Sequence, residues 1–236
     1  MTTITPAMED YLKIIYGLET SGERVATQTI AERMNVAAPS VTGMLKRLAD
    51  LKLIEHEPYR TIQLTATGRK VALEVVRHHR LLELYLSEAL GYSWDEVHDE
   101  ADRLEHTISE EFEARIDAVL GFPTHDPHGD PIPSRSGDIA TLPEDRLATL
   151  EIGMPARIVR VPDDDPEKLR YLGQLGLYPN AAILVVERMP FNGPLRVEVD
   201  GVEHVISVDL AAGIHVSAVE PGSPHPPPLS QIGRGE

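Results

Sequence analysis

The stretch TQTIAERMNVAAPSVTGMLKRLADL, residues Thr27 to Leu51, decides the fold. It divides at a short turn, Asn35 to Ala38. Before the turn, Ile30, Ala31 and Met34 recur at helical spacing, which predicts a helix from Thr27 to Met34. After it, Val41, Met44, Leu45 and Leu48 share one face of a helix predicted from Ser40 to Leu51. Pro39 suits the first turn of that helix, where its missing N–H would have no partner anyway. Upstream, Pro6 opens a run in which Met8, Tyr11, Leu12, Ile15 and Leu18 keep helical spacing, and Ser21-Gly22 ends it. Downstream, Leu53 to His56 and Thr61 to Leu64 read as two short strands around Glu57-Pro58-Tyr59-Arg60.

Three helices and a hairpin in this order form the winged helix-turn-helix pattern. In that pattern the third helix enters the major groove with its N-terminal residues toward base edges. Those residues are Pro39, Ser40 and Gly43. Ser40 can donate or accept, Pro39 offers van der Waals contact, and Gly43 lets backbones approach closely. Lys46, Arg47, Gln28, Thr29 and the wing residue Arg60 are placed to reach phosphates. Double-stranded DNA is therefore the expected partner; a helical protein-interaction module with basic decoration is the competing reading.

Charge supports DNA only when read by segment. The 236-residue chain carries a formal net charge of −16. From Arg24 to Arg80, however, ten Lys/Arg oppose five Asp/Glu, while the segments on either side are both net acidic. One basic segment in an acidic chain is the footprint expected when a single domain meets phosphate, although a fluctuation of surface charge would look the same. The chain has no cysteine, which excludes disulfides, thiolate metal sites and cysteine nucleophiles. No run is long enough to span a membrane, and the first residues lack a secretory pattern, so a cytoplasmic location is expected.

The length suits two or three small domains. A long helix is predicted from Arg69 to Leu90, a second from Ser93 or Trp94 to Ser109, and a third from Glu110 to Leu120. From Pro155 onward the pattern changes to short β-rich runs at Ala156–Val161, Ala182–Glu187, Leu195–Val199, His204–Val208 and Ile214–Val219. Asn192-Gly193 and Asp200-Gly201 are turn signals between them. Five short strands suit a small SH3-like barrel. The expected fold is thus multidomain and mainly α with a small β barrel. It comprises a winged helix-turn-helix over 1–72, a helical dimerisation and metal domain over 73–140, a linker over 141–152, an SH3-like domain over 153–220 and a disordered tail over 221–236.

The middle helices carry the sharpest chemistry. His79 and Glu83 are four residues apart and share a helical face. His98, Asp102 and Glu105 form one stripe on the next helix, and His106 lies four residues beyond Asp102. If these helices pack antiparallel, His79, Glu83 and His98 meet around one ion. Asp102, Glu105 and His106 then make a neighbouring half-site that needs one more ligand, for which Asp10 is a candidate. Such a pair also occurs as solvated surface charge, so spacing alone leaves both readings open. A donor set of imidazole and carboxylate suits Mn²⁺, Fe²⁺, Co²⁺ or Zn²⁺ rather than Cu(I).

These residues resemble a known family. His98-Asp99-Glu100-Ala101-Asp102-Arg103-Leu104-Glu105-His106, Phe122 to Pro133, and His78-His79-Arg80-Leu81-Leu82-Glu83 are similar to three ordered motifs of the diphtheria toxin repressor family of iron- and manganese-dependent repressors. The resemblance is dense from residue 5 to about 135 and looser through the C-terminal barrel. It implies a homodimeric, metal-dependent transcriptional repressor that binds palindromic operators and controls metal-homeostasis genes. It also implies an ancillary site of His79, Glu83 and His98 and a primary site of Asp10, Asp102, Glu105 and His106. Iron-type members carry Met and Cys where this chain has Asp10 and Asp102. Oxygen in place of soft sulfur favours a harder ion, so the resemblance implies Mn²⁺, with Fe²⁺ as the alternative. Lys13 stands where manganese-type members can carry a metal-binding Glu, which speaks against a closely coupled pair of manganese ions. The iron-type members also draw ligands from the SH3-like domain, where Asp163, Asp164, Asp165 and Glu167 are on offer. No enzymatic activity is expected. A metallohydrolase would need an open coordination position and a further base, and a metal-storage protein would leave the basic winged helix unexplained.

Overall fold

The computed structural model describes residues 4–55 and 61–219. Residues 56–60, which include the expected wing residue Arg60, and the expected tail from 221 lie outside the described residues. Two compact units result. The first comprises the described parts of Met1–Leu90 together with Val97–Thr124 and Ile132–Ala140. The second gathers Gly91–Glu96, His125–Pro131 and the described residues from Thr141 onward.

In the first unit, α1 (Pro6–Ser21) begins at Thr5, whose hydroxyl accepts from the Met8 amide. It stops at Gly22, which takes the left-handed conformation at φ 73° that a side chain would strain. Helices α2 (Thr27–Arg33) and α3 (Ala38–Asp50) follow, with Asn35 at φ 52° in the turn between them. Strands β1 (Ile54–Glu55) and β2 (Gln63–Leu64) pair antiparallel, Ile54 opposite Leu64. Leu12, Ile15, Leu18, Ile30, Val41, Leu45 and Leu48 form a fully buried core under these elements. The apolar spacing read from the sequence is the spacing that is buried.

Helix α4 (Ala66–Leu90) is longer than expected by three residues at its start. Its first half contributes Ala72, Leu73 and Val76 to the winged-helix core, and its second half contributes Leu81, Leu82 and Leu86 to another core with Val97, Ala101 and Ile116. One rod therefore serves both cores, and the chain has no structural break at the expected 72/73 boundary. The next two helices are α5 (Val97–Leu104) and α6 (Glu110–Val119), the latter capped by Ser109. Helix α5 is shorter than the sixteen or so residues expected from Ser93 to Ser109, because residues 91–96 pack into the second unit and residues 105–107 form a turn. Arg77 on α4 is buried and donates to Glu113, Asp117 and the Pro133 carbonyl at 2.6–2.7 Å, which pins α6 and the following segment to α4.

In the second unit, β3 (Pro155–Arg160), α7 (Pro166–Gln174), β4 (Ala182–Arg188), β5 (Leu195–Val199), β6 (Val202–Ile206), α8 (Val208–Gly213) and β7 (His215–Ala218) follow in order. The sheet is antiparallel, in the order β6-β5-β4-β3-β7. The five expected strands are all present. Helices α7 and α8 were not expected. Residue 208 starts α8, not the end of a strand, because Ser207 caps a helix there through the Leu210 amide. The segment 141–152, expected as a linker, belongs to this unit, since Leu147 and Leu150 are buried in its core. Residues 125–131 do likewise. Asp126 accepts from the His128 and Asp130 amides, His128 Nε2 bonds the Trp94 carbonyl at 2.7 Å, and Arg160 donates to Asp130. A side chain at Gly129 would lie 2.0 Å from the Val159 carbonyl oxygen, so only glycine fits this close approach.

Candidate metal centre

Helices α4 and α5 carry the expected cluster between them. His79 Nε2 lies 3.0 Å from Glu83 Oε1 and 3.1 Å from His98 Nδ1, and His98 Nδ1 lies 3.2 Å from Glu83 Oε1. His79 and Glu83 are buried on α4, while His98 sits at the rim. Three ligand atoms thus form a nearly equilateral triangle. Two imidazoles and a carboxylate converging in this way fit a divalent cation.

A second cluster joins α1 to the turn after α5. His106 Nε2 lies 2.7 Å from Asp10 Oδ1 and 3.4 Å from Glu105 Oε1. Asp10, Glu105 and His106 each offer a ligand atom within 4.8 Å of the others. Asp102 does not join this group. It is still inside α5, four residues after His98, and faces His79 and Glu105 instead. Glu105 and His106 lie beyond the end of α5, which turns them toward α1. Sequence reasoning missed Glu9, whose Oε2 is 2.7 Å from His106 Nδ1. A carboxylate on the outer nitrogen of a ligating imidazole fixes its tautomer and raises its basicity. The adjacency of Glu9 to Asp10 was the only available signal.

Glu105 stands between the clusters. Its Oε2 is 2.5 Å from His79 Nδ1 and 2.7 Å from Lys13 Nζ, and its Oε1 faces His106. Burial disfavours charge on all these groups, yet the carboxylates prevail over it for the imidazoles. His79 is held well above the usual histidine range despite its burial, chiefly by Glu83. His98 is raised by its hydrogen bond to Glu83, and His106 is raised against its burial by Glu9 and Asp10. Burial raises the Asp10 carboxyl, whereas His79 and Lys13 hold Asp102 below the carboxylate range against burial. Cation and proton compete for the same lone pairs here.

Three of the four acidic side chains named in the second unit, all but Glu167, are engaged locally. Asp163 pairs with Arg160, Asp164 with Lys168, and Asp165 caps α7 by accepting from the Glu167 amide. On the reading helix, Pro39, Ser40, Gly43, Lys46 and Arg47 are all exposed, opposite the buried Val41, Leu45 and Leu48. Gly43 faces open space. Gln28 is exposed and bonds Glu32, and Thr29 is half-buried. Among the described residues no helix is long and apolar enough to cross a membrane.

Comparison with known proteins agrees with this architecture. Residues 3–62 match the iron dependent repressor N-terminal DNA binding domain, residues 65–134 the iron dependent repressor metal binding and dimerisation domain, and residues 146–218 the FeoA domain. The iron-dependent repressor IdeR of Mycobacterium leprae (strain TN) is 34% identical over 233 residues, covering 93% of this chain and 100% of the relative. The diphtheria toxin repressor of Corynebacterium glutamicum is 30% identical over 230 residues, covering 93% and 100%. A solved structure described as a manganese-dependent transcriptional repressor complex with manganese aligns with a TM-score of 0.84 and 40% identity, covering 90% of this chain and all of that one. The manganese regulator SloR aligns with a TM-score of 0.76 and 33% identity, covering 92% and 100%. A DNA-binding winged helix, a helical dimerisation domain bearing two ligand clusters and an SH3-like FeoA domain, matched over nearly the whole length of these relatives, place the chain in the iron-dependent repressor family of metal-dependent transcriptional repressors.

Proposed function

We propose that this repressor binds a palindromic operator as a homodimer in the cytoplasm when its clusters carry Mn²⁺, and that it governs metal-homeostasis genes. The carrying observation is the 2.7 Å approach of Asp10 on α1 to His106 beyond α5. It joins the helix in front of the reading pair to the helical core that α4 and α5 build. His79, Glu83 and His98 hold one ion; Asp10, Glu105 and His106 hold the other, with Asp102 at its margin. A bound ion supplies the positive charge that offsets repulsion among these carboxylates. Asp10 and His106 then fix the start of α1, and with it the reading helix. The ion acts only through its preference for that arrangement.

Pro39, Ser40 and Gly43 face bases, and Gln28, Thr29, Lys46 and Arg47 face phosphates; Arg60 takes the same role on the wing. Two reading helices must lie about one helical turn apart, roughly 34 Å or a multiple, to read a palindrome. The exposed Phe112, Val119 and Phe122 on and after α6 support a second copy of the chain as the partner. For the metal, the donors are imidazole and carboxylate with no sulfur, which suits Mn²⁺ better than a soft ion. The family's description as iron dependent favours Fe²⁺ as the second reading.

The test is fluorescence anisotropy with DNA from upstream of metal-transport genes, titrating metal-free protein with Mn²⁺, anaerobic Fe²⁺ and Zn²⁺ at fixed salt. Chelator-reversible binding at lower free Mn²⁺ than Fe²⁺ is expected. An equal or better response to Fe²⁺ assigns iron, and no metal-dependent binding to any fragment overturns the proposal. Asp10→Ala should abolish the metal response and leave the dimer intact; a full response would sink the bridging role.

A further inference from the structure

His79 belongs to two ligand groups at once. Through Nε2 it meets Glu83 and His98; through Nδ1 it meets Glu105 at 2.5 Å and Asp102 at 3.2 Å. Each trio places its ligand atoms within 4.8 Å of one another. A neutral imidazole has one lone pair, since its other nitrogen carries the proton. As a neutral ring, His79 can therefore serve only one of the two groups as a metal ligand.

Lys13 reaches from α1 into the His79–Asp102–Glu105 group. Its Nζ is 3.0 Å from His79 Nδ1, 3.0 Å from Asp102 Oδ1 and 2.7 Å from Glu105 Oε2, one contact to each member of the trio. An ammonium group is a compact positive charge with three donors and no acceptor. It offsets Asp102 and Glu105 from the place an ion would take, and it is covalently tied there. Glu105 Oε2 is an acceptor only, and it receives both the Lys13 ammonium and the shorter contact from His79. When an ion takes Nε2 beside Glu83 and His98, the ring proton is left on Nδ1, where Glu105 Oε2 accepts it, and the Lys13 ammonium is then a neighbouring charge to that nitrogen and not a hydrogen-bond donor to it.

We propose that Lys13 is a built-in cation that fills the His79–Asp102–Glu105 group and so directs the divalent ion to His79–Glu83–His98. This rests on reading the clusters as metal sites, and it adds what selects between two overlapping ones. Without the ammonium, Asp102 and Glu105 lose their permanently charged partner. A divalent cation then settles between them, taking the His79 lone pair at Nδ1.

The experiment counts Mn²⁺ per chain by elemental analysis after equilibrium dialysis, using Mn²⁺ alone and the full-length protein. The wild type is expected to hold two ions and His98→Ala one. Lys13→Met combined with His98→Ala is expected to hold two again, because the ion has moved to a group that does not use His98. Lys13→Arg combined with His98→Ala keeps the cation and is expected to hold one. Lys13→Gln with His98→Ala, a second neutral replacement, is expected to hold two and stands in if the methionine variant fails to fold. One ion on both neutral double variants, with one on His98→Ala alone, overturns the role of Lys13 and leaves the metal sites standing. A His98→Ala chain that loses nothing, or a wild type that binds no Mn²⁺, overturns the site assignment and this inference together.

Discussion

Replacing Glu105 by Gln exchanges one oxygen for an amide and removes a charge at the point where the two clusters meet. Glu105 is 2% exposed, and its Oε2 accepts from Lys13 at 2.7 Å and from His79 at 2.5 Å. A hydrogen bond to a charged partner contributes about 1.5–3 kcal/mol and a neutral one about 0.5–1.5. Weakening two such bonds costs the metal-free protein about 2–3 kcal/mol, toward the lower figure because Lys13 retains Asp102. The effect on metal follows from His79. Its Nδ1–H loses an anionic acceptor, and loss of such an outer partner costs about 10–100-fold in affinity at the other nitrogen. To see that effect alone, the second cluster is removed with His106→Ala. Calorimetric titration of Mn²⁺ then compares His106→Ala with His106→Ala/Glu105→Gln. The double variant is expected to bind about 10–100-fold more weakly, by roughly 1.4–2.8 kcal/mol. Affinities equal within about threefold would refute the claim that Glu105 orients His79 for the first cluster.

Two further outcomes follow from the same geometry. A Cβ at Gly68, in the first turn of α4, would lie 1.9 Å from the Leu53 carbonyl oxygen and 2.8 Å from its carbon, backbone that cannot swing aside. Helix propensity alone would make Gly68→Ala stabilising by about 1 kcal/mol, so the sign is diagnostic. Overpacking is expected to win by about 1–3 kcal/mol and to lower the melting temperature by about 2–12 °C, and a higher melting temperature would refute the close approach. The second outcome concerns pH. The folded pKa values of His79, His98 and His106 lie above the unfolded value, so their contribution to the metal-free fold is complete below about pH 6.5 and is lost as pH rises through the raised values. Ligation needs the neutral rings, so Mn²⁺ affinity should climb over that same window with release of protons. Urea melts and buffer-dependent calorimetry check the two slopes; slopes of the same sign would refute the shared-proton reading.

The reading helices were legible in the sequence because their periodicity is a direct record of burial. Val41, Leu45 and Leu48 go in, and Ser40, Gly43 and Arg47 stay out. The first ligand cluster was legible for a similar reason, since residues four apart on a helix share a face and only one antiparallel packing was needed. The helices in the second unit were hidden. Helix α7 follows a run of three aspartates whose solvated look conceals a cap at Asp165. Helix α8 spans only Val208–Gly213, too short for periodicity to register. The segment 141–152 looked like a linker because Leu147 and Leu150 sit among polar residues. Their burial depends on strands far away in sequence.

The second cluster marks the limit of spacing arguments and also shows what lies beyond it. Asp102, Glu105 and His106 are adjacent on paper, and continuing the helix through them would have put Asp102 and His106 on one face. Helix α5 ends at Leu104 instead, and that single event separates them. Asp102 stays with His98 and His79, His106 turns to meet Asp10 and Glu9, and Glu105 reaches both groups, with Oε2 toward His79 and Oε1 toward His106. The consequence is functional. With the helix broken, the cluster closes only when α1 is in place, and Leu12, Ile15 and Leu18 of α1 lie in the core that supports the reading helix. On the proposed function, an ion held by Asp10 and His106 is energetically tied to the position of the DNA-binding surface. The coupling needs no path longer than one helix, from Asp10 on its outer face to the apolar residues on its inner one.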